Sequence, residues 1–433
     1  MSQYLDFVDY KYHPSKDDLI CLFRVEPTRG MSFDEAVGRV AAESSNGTWT
    51  TLTTINERIR RIRARAFWKD EKKKLVKTAY PIELFELGSM PQLWSSICGN
   101  IFGMKAVKNL RLLDADFPEI YIKSFSGPQF GLGGVRKFMK IPTRPMIATV
   151  PKPKVGMTTE EHAKVGYEAW VGGVDFLKDD ENLTNQKFNR FDNRVKLCAK
   201  MRDKAEKETG DKKDYFVNVT SETNEMLKRT RLAHNYGFKY VMIDMLTAGW
   251  AGLESLRQQC QDTKQAIHSH RAMHATFTRN PLHGISMLFV AKCAKLVGVD
   301  NIHIGTVIGK LVSPKSEVMA LEHEIEDYNI KEHIGTGVLE EHWFGMKPII
   351  PCSSGGLHPG LVPYVLKLLG KDCLLQLGGG IHGHPHGTRE GAMALRQAID
   401  AYVKKENLEE YSKKKENKEL AIALKTWGTV KPV

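Results

Sequence analysis

Gly172-Gly173-Val174-Asp175-Phe176-Leu177-Lys178-Asp179-Asp180-Glu181-Asn182 is a short apolar segment that ends in one ammonium and three carboxylates. Side chains of a strand alternate faces, so Lys178 and Asp180 point one way and Asp179 the other. Glu181, where the chain leaves the strand, can turn toward the face that carries Lys178. Taken alone, such a run also fits a solvated loop whose charges balance. Seven other strand-like runs that end in polar or glycine-rich residues argue for a site instead.

Those runs set the expected fold. Strands are predicted at Pro145–Val150, Val174–Lys178, Phe216–Thr220, Tyr240–Asp244, Ala266–His270, Ile302–Gly305, Ile349–Cys352 and Leu374–Leu377, separated by helix-length segments such as Thr158 to Trp170 and Ser286 to Val297. Strand and helix in alternation predict an α/β fold with a parallel (β/α)8 barrel, although the count alone also fits a doubly wound sheet. The placement of chemistry favours the barrel. Lys152, Lys178, Asp180, Asn218, His268, His270, Arg271, His303, Ser354 and Gly378 to Gly380 all fall at or just beyond the C-terminal ends of strands, where a barrel gathers its active site.

Upstream, residues 1–126 read as a smaller α+β domain. Leu19 to Val25 has strand character, and Ser32 and Glu35 have capping-box spacing at the start of a helix that runs to about Glu43. Glu43-Ser44-Ser45-Asn46-Gly47-Thr48-Trp49-Thr50-Thr51 reads as a polar loop feeding a strand, since threonines favour strands. Gly127-Pro128 and glycines 131, 133 and 134 mark the boundary to a barrel domain over 127–433.

A chain of 433 residues is long enough for two such domains. The apolar segment from Ile285 to Val299 is broken by Lys292 and Lys295, and no run reaches the roughly 18 apolar residues of a membrane span. Met1-Ser2-Gln3-Tyr4-Leu5-Asp6 carries an acid and no basic stretch, which argues against a signal peptide and for a cytoplasmic protein. The seven cysteines include no C-x-x-C pair, as expected of reduced thiols. The net charge of +12 raises the question of nucleic acid. Its basic clusters, Arg58 to Lys77 and Lys404 to Lys418, accompany no recognised nucleic-acid module, and the second is interleaved with glutamates. Attraction of anionic substrates such as phosphorylated sugars is the other use of that charge.

Several motifs can be weighed on spacing. Gly305-Thr306-Val307-Ile308-Gly309-Lys310 lacks the loop length and the following Ser or Thr of a P-loop, and Gly378-Gly379-Gly380 is not G-x-G-x-x-G, so neither ATP nor NAD is expected. His268-Ser269-His270 could hold zinc, but no third ligand cluster with suitable spacing follows. Asp180 and Glu181 alone make a weak magnesium site, and an ammonium at Lys178 would repel the ion. Ser353-Ser354-Gly355-Gly356 and Gly378-Gly379-Gly380 offer backbone amides unobstructed by side chains, which suits phosphate as well as it suits tight turns.

Together these segments resemble the large subunit of ribulose-1,5-bisphosphate carboxylase/oxygenase (RuBisCO) over nearly the whole chain. The matching stretches are GG-DF-KDDEN at 172–182, E-S-S-x-G-T-W-T at 43–50, Gly99-Asn100-Ile101-Phe102-Gly103-Met104-Lys105, Lys152-Pro153-Lys154-Val155-Gly156, H-x-H-R-A-M-H at 268–274, and Asn301 to Leu311 as a mobile loop with lysine at its tip. Val150-Pro151-Lys152-Pro153-Lys154 and Gly355-Gly356-Leu357-His358-Pro359 are most like the archaeal form III branch.

The resemblance implies roles. Lys178, carbamylated by an activating CO2, would bind Mg2+ with Asp180 and Glu181 and take a proton from C3 of the substrate. Lys152, supported by Lys154, and His270 would transfer protons, and Lys310 would stabilise the carboxylate that forms from CO2. Arg271 would hold one phosphate, and Ser354, Gly355, Gly356, Gly378 and Gly379 a second, with His303 also on the substrate. Glu43, Thr48, Trp49 and Asn100 would reach the active site of a partner subunit, in a homodimer or ring of dimers that needs no small subunit. His274 is expected to be structural. The implied reaction converts ribulose 1,5-bisphosphate, CO2 and water into two molecules of 3-phosphoglycerate, with O2 as a competing substrate, in archaeal nucleotide or ribose-phosphate metabolism or carbon fixation.

Three departures from the family pattern stand out: Asn46, Val312-Ser313-Pro314 after the loop lysine, and Ile381-His382 after the triple glycine. Two rival readings remain at this stage. One is a RuBisCO-like enolase or isomerase that shares barrel and metal without fixing CO2. The other is a basic RNA-binding protein using arginines 58, 60, 61, 63 and 65, which a salt-dependent gel shift would reveal.

Overall fold

A computed structural model describes residues 3–50, 52–306, 308 and 315–429. All eight expected strands form, as Met146–Thr149, Phe176–Lys178, Asp214–Asn218, Tyr240–Asp244, Ala266–His270, Asn301–Gly305, Ile350–Ser354 and Leu374–Leu377. Each pairs in parallel with the next, and the eighth pairs with the first, so the sheet closes into a barrel. Closure decides against the doubly wound alternative, whose sheet stays open.

The period of two determines what fills the barrel. Near the strand starts, Met146, Phe176, Tyr240, Ala266, Ile350 and Leu374 belong to one buried apolar cluster. Phe176 stacks on Phe216 at 4.6 Å, and Phe216 meets Tyr240 edge-on at 4.7 Å. Burying each such side chain contributes about 1.5–3 kcal/mol. Helix Gly131–Met139 adds Val135 and Met139 to the cluster, with Phe138 against Tyr240, and so covers the mouth where the strands begin. Its first residue must be glycine: φ is +58°, and a Cβ would lie 2.6 Å from the carbonyl oxygen of Pro348.

Further along the same strands, the positions on the core-facing side turn polar. Phe176 is followed by Lys178, Phe216 by Asn218, Met242 by Asp244, and Ala266 by His268 and His270. The intervening Leu177 faces outward against helix Thr159–Val171, whose Gly166 leaves no room for a Cβ beside it. That helix opens with the reciprocal capping box expected of Thr158 and Glu161.

The chain divides into two compact units: 1–127 with 273–297 and 327–346, and 128–272 with 298–326 and 347–433. The first is a five-stranded sheet ordered Gly284–Ile285, Val107–Asp116, Asp18–Pro27, Leu75–Pro81, Arg65–Asp70, flanked by helix Phe33–Glu43 with Ser32 as its cap. A contiguous cut at residue 126 leaves out the two later segments. Their membership has a physical basis: Lys292, fully buried, lies 2.9 Å from Asp114 and 3.3 Å from Glu341 and donates to the carbonyl of Ala115. A buried ammonium requires such partners, and they join all three segments.

The polar loop after helix Phe33–Glu43 feeds no strand, contrary to expectation: residues 52–56 are turn and irregular, and the next element is the helix Glu57–Arg61. Local side-chain hydrogen bonds take the place of a ladder. Asn46 Nδ2 donates to the carbonyl of Ile59, and Gln3 Nε2 to that of Thr48.

Candidate active site

Lys178 ends the second barrel strand with its side chain fully buried, and its Nζ donates to the carbonyl of Asp179 at 2.8 Å. Burial pushes its pKa below that of an ordinary lysine, against the opposing pull of Glu181, Asp244 and Asp180. Asp179 points away, as alternation requires. It accepts from Tyr215 Oη, from the backbone amide of Asn218 at 2.9 Å, and from Arg194, which is itself wholly buried. His162 lies 3.5 Å from the same carboxylate and bonds Tyr215 Oη at 3.1 Å, yet burial lowers its pKa to about 4, so the contact is with a neutral imidazole. This network anchors the backbone on which Lys178 and Asp180 sit.

Asp180 receives Lys152 Nζ at 3.1 Å and the amide and side chain of Asn182 at 3.2 and 3.1 Å. Desolvation would raise its pKa, but the lysine charge and these hydrogen bonds bring it below the usual carboxylate value. Glu181 Oε2 stands 3.8 Å from His270 Nε2. The other ring nitrogen, Nδ1, is 2.9 Å from Asp244 Oδ1 and 3.2 Å from the amide of Ala272. The shorter contact, to a carboxylate that only accepts, puts the proton on Nδ1 and leaves Nε2 facing Glu181.

His303 links two further strands. Its Nδ1 is 2.8 Å from Ser354 Oγ and its Nε2 is 3.0 Å from His268 Nε2. Burial drives both histidines well below their ordinary pKa, so the pair is neutral and shares one proton between the facing nitrogens. Arg271, also buried, makes no hydrogen bond or ion pair with any described residue, and burial lowers its pKa to about 10 despite Glu317 nearby. A guanidinium without a hydrogen-bond partner among the described residues can turn its donors to an anion. Gly378 makes room for Lys152, because a Cβ there would lie 2.8 Å from Lys152 Cε. Gly379 opens the short helix Gly379–His382 with no atom near its Cβ position, and Gly355 and Gly356 have φ of +112° and +68°.

The chain matches the catalytic-domain model of the ribulose bisphosphate carboxylase large chain over residues 131–427 and its N-terminal-domain model over residues 6–121. The chain belongs to this family. It is 50% identical over 431 residues to the ribulose bisphosphate carboxylase of Pyrococcus abyssi, covering 99% of this chain and 98% of that one. The enzyme of Methanosarcina barkeri is 46% identical over 424 residues, covering 98% and 99%. Among solved structures, the dimeric archaeal Rubisco of Hyperthermus butylicus superposes with a TM-score of 0.94 at 47% identity, covering 99% of this chain and all of that one. The octameric Rubisco of Pyrococcus horikoshii OT3 gives 0.92 at 47% identity, covering 99% and 98%. These relatives fit the archaeal form III-like reading.

The barrel unit of this RuBisCO family member thus brings together Lys152, Lys178, Asp180, Glu181 and His270, and beside them His303, whose ring centroid lies 4.8 Å from that of His270, with Ser354. Lys154 is exposed in the bends after the first strand. Lys310 and Val312 lie outside the described residues. In the other unit, Asn100 Nδ2 is 3.3 Å from Glu43 Oε1, Thr48 follows the turn after the helix that Glu43 ends, and Trp49 is 82% exposed. His274 Nδ1 bonds Thr278 Oγ1 at 2.9 Å.

Sequence reasoning missed Asp244, the partner of His270. Its signal was available, since Tyr240, Met242 and Asp244 share a strand face and Asp244 ends it. His382, a departure from the plant-type pattern, is partly buried with Nε2 at 2.9 Å from Thr149 Oγ1 and Nδ1 at 3.0 Å from Thr388 Oγ1. Thr149 spends its own proton on the carbonyl of Leu377, so His382 Nε2 is the donor to it. Burial, then the charge of Lys152, lowers this histidine to about 4.

Proposed function

We propose that the chain is a ribulose-1,5-bisphosphate carboxylase, joining CO2 and water to ribulose 1,5-bisphosphate and releasing two molecules of 3-phosphoglycerate, with O2 as a competing substrate. One observation carries the reading: a lysine amine, buried and with its charged form disfavoured, stands at the polar end of the barrel in the company of Asp180, Glu181 and Asp244. Carbamylation by CO2 requires the neutral form of the amine, which burial favours, and it replaces a group that repels a cation when protonated with anionic oxygens. Lys178 in that form, Asp180 and Glu181 therefore suit Mg2+, which prefers oxygen ligands and supplies a divalent charge that polarises substrate oxygens.

The chain's own residues account for the rest. Lys152, held over Asp180 and partly open to solvent, can exchange a proton between substrate and water. Asp244 fixes the ring of His270, which leaves Nε2 to accept or donate a proton inside the barrel. Arg271 offers its fork to one phosphate. The turns at Gly355-Gly356 and Gly378-Gly379 offer amides to the other, and His303 with Ser354 presents hydrogen-bonding groups to the sugar. Lys310 supports the carboxylate that CO2 becomes. Glu43, Thr48, Trp49 and Asn100 complete the barrel site of a partner subunit in a homodimer or ring of dimers.

The partition between early and late steps tests this reading. Lys310→Ala is expected to keep exchange of the C3 proton of ribulose bisphosphate with solvent while losing carboxylation. Exchange without carboxylation in the wild-type protein would instead establish an enolase or isomerase.

A further inference from the structure

The turn that follows the seventh barrel strand and the turn that follows the eighth meet at Gly380. A Cβ on that residue would lie 2.2 Å from the carbonyl oxygen of Leu357 and 2.8 Å from His358 Cα, so only glycine permits the approach. Both turns are then held by one element, the helix Lys418–Trp427 near the end of the chain. Its first turn is tied through His384 Nε2, 3.1 Å from the carbonyl of Glu419. Its last residue, Trp427, lays its indole against the Cβ position of Gly383 at 3.6 Å and against the rings of His358 and His384 at centroid distances of 5.9 and 6.4 Å. The next carbonyl, that of Gly428, lies 2.0 Å from where a Cβ of Gly360 would be. One indole thus packs beside His358, just after the first glycine turn, and beside Gly383 and His384, just after the second.

We propose that Trp427 is a positioning residue for substrate phosphate: it clamps the two glycine-rich turns together so that their backbone amides converge on one anion. The inference rests on the reading of those turns as a phosphate site. The physical reason is leverage. Backbone amides bind an anion only when several point at one place, and glycine turns have little intrinsic stiffness to keep them there. A rigid aromatic plate packed on both turns supplies the missing constraint, and it does so without touching the reacting atoms.

The test uses the full-length protein, with ribulose 1,5-bisphosphate and inorganic phosphate as probes, in calorimetric binding and in steady-state kinetics. Trp427→Ala is expected to raise KM for the bisphosphate and the Kd for both probes about tenfold while kcat stays within about twofold, and Trp427→Phe, which keeps a ring, is expected to stay within about twofold of wild type throughout. A fall in kcat with unchanged KM and Kd, which loss of folded protein alone would give, overturns the proposal. If circular dichroism shows Trp427→Ala to be unfolded, Trp427→Leu, which fills the volume without a ring, decides by the same criteria. A wild-type protein that binds phosphate but not the bisphosphate would contradict the proposed function, and the phosphate Kd of the variants would still decide the role of Trp427.

Discussion

Lys152 Nζ lies 3.1 Å from Asp180 Oδ2, so a cation from beyond the first barrel strand neutralises a carboxylate proposed to bind metal. Magnesium must compete with that ammonium for Asp180. Lys152→Met is therefore expected to bind Mg2+ about three- to tenfold more tightly by calorimetry, while turnover falls by at least about a hundredfold because the amine proposed to exchange protons is gone. Weaker Mg2+ binding in this variant would show that Lys152 does not oppose the ion.

Activation should depend on both CO2 and Mg2+, because Lys178 without a carbamate opposes the metal. Proton and CO2 compete for the same amine, so at fixed dissolved CO2 the activated fraction is expected to rise with pH. The lowered pKa of Lys178 moves that rise below the range of a free lysine. Lys178→Ala should fold and lose turnover. Full wild-type activity after exhaustive CO2 removal, read in a brief bicarbonate pulse, would sink the carbamate.

Two neutral histidines, His162 buried and His382 partly buried, predict how stability responds to acid. His162 and His382 each fall from 6.5 to about 4 in the folded protein. Between those values the unfolded chain binds protons that the folded chain does not, so stability rises with pH across the window and is lost as pH drops from 6.5 toward 4. Each contributes at most on the order of 3 kcal/mol. The melting temperature should fall across that range, and His162→Gln or His382→Gln should flatten the fall. Unchanged slopes in both variants would place the acid sensitivity elsewhere.

Much of this was legible in the sequence because the barrel writes its two faces into a period of two. Phe176 to Lys178 and Ala266 to His270 change from apolar to polar on one strand face, and that change is visible without coordinates. What the sequence hid is contact between distant segments. Nothing local announces that Arg194 and Tyr215 hold Asp179, or that Lys292 binds Asp114 and Glu341 and draws two later segments into the first unit. The threonine-rich loop at 43–51 misled for the converse reason: it feeds a helix and not a strand, and side-chain hydrogen bonds from Gln3 to Thr48 and from Asn46 to Ile59 stand where a ladder was expected.

If Glu43 and Asn100 serve a partner's barrel, Glu43→Gln and Lys178→Ala are each inactive as homodimers, because each variant damages both sites. A mixed dimer has one site with both lesions and one with neither. Purified heterodimers of the two variants are therefore expected to recover up to about half of wild-type activity per dimer if the sites act independently. Heterodimers as inactive as their parents would rule out a shared site.

The central claim is carboxylation itself, and incorporation of labelled CO2 tests it most directly. After preincubation with CO2 and Mg2+, the protein is given ribulose 1,5-bisphosphate and carbon-labelled bicarbonate, and acid-stable label is followed into product. The account predicts label in the carboxylate of 3-phosphoglycerate, with two molecules of that product formed per bisphosphate consumed. Consumption of the bisphosphate with no acid-stable label, or a five-carbon bisphosphate as the sole product, would contradict it.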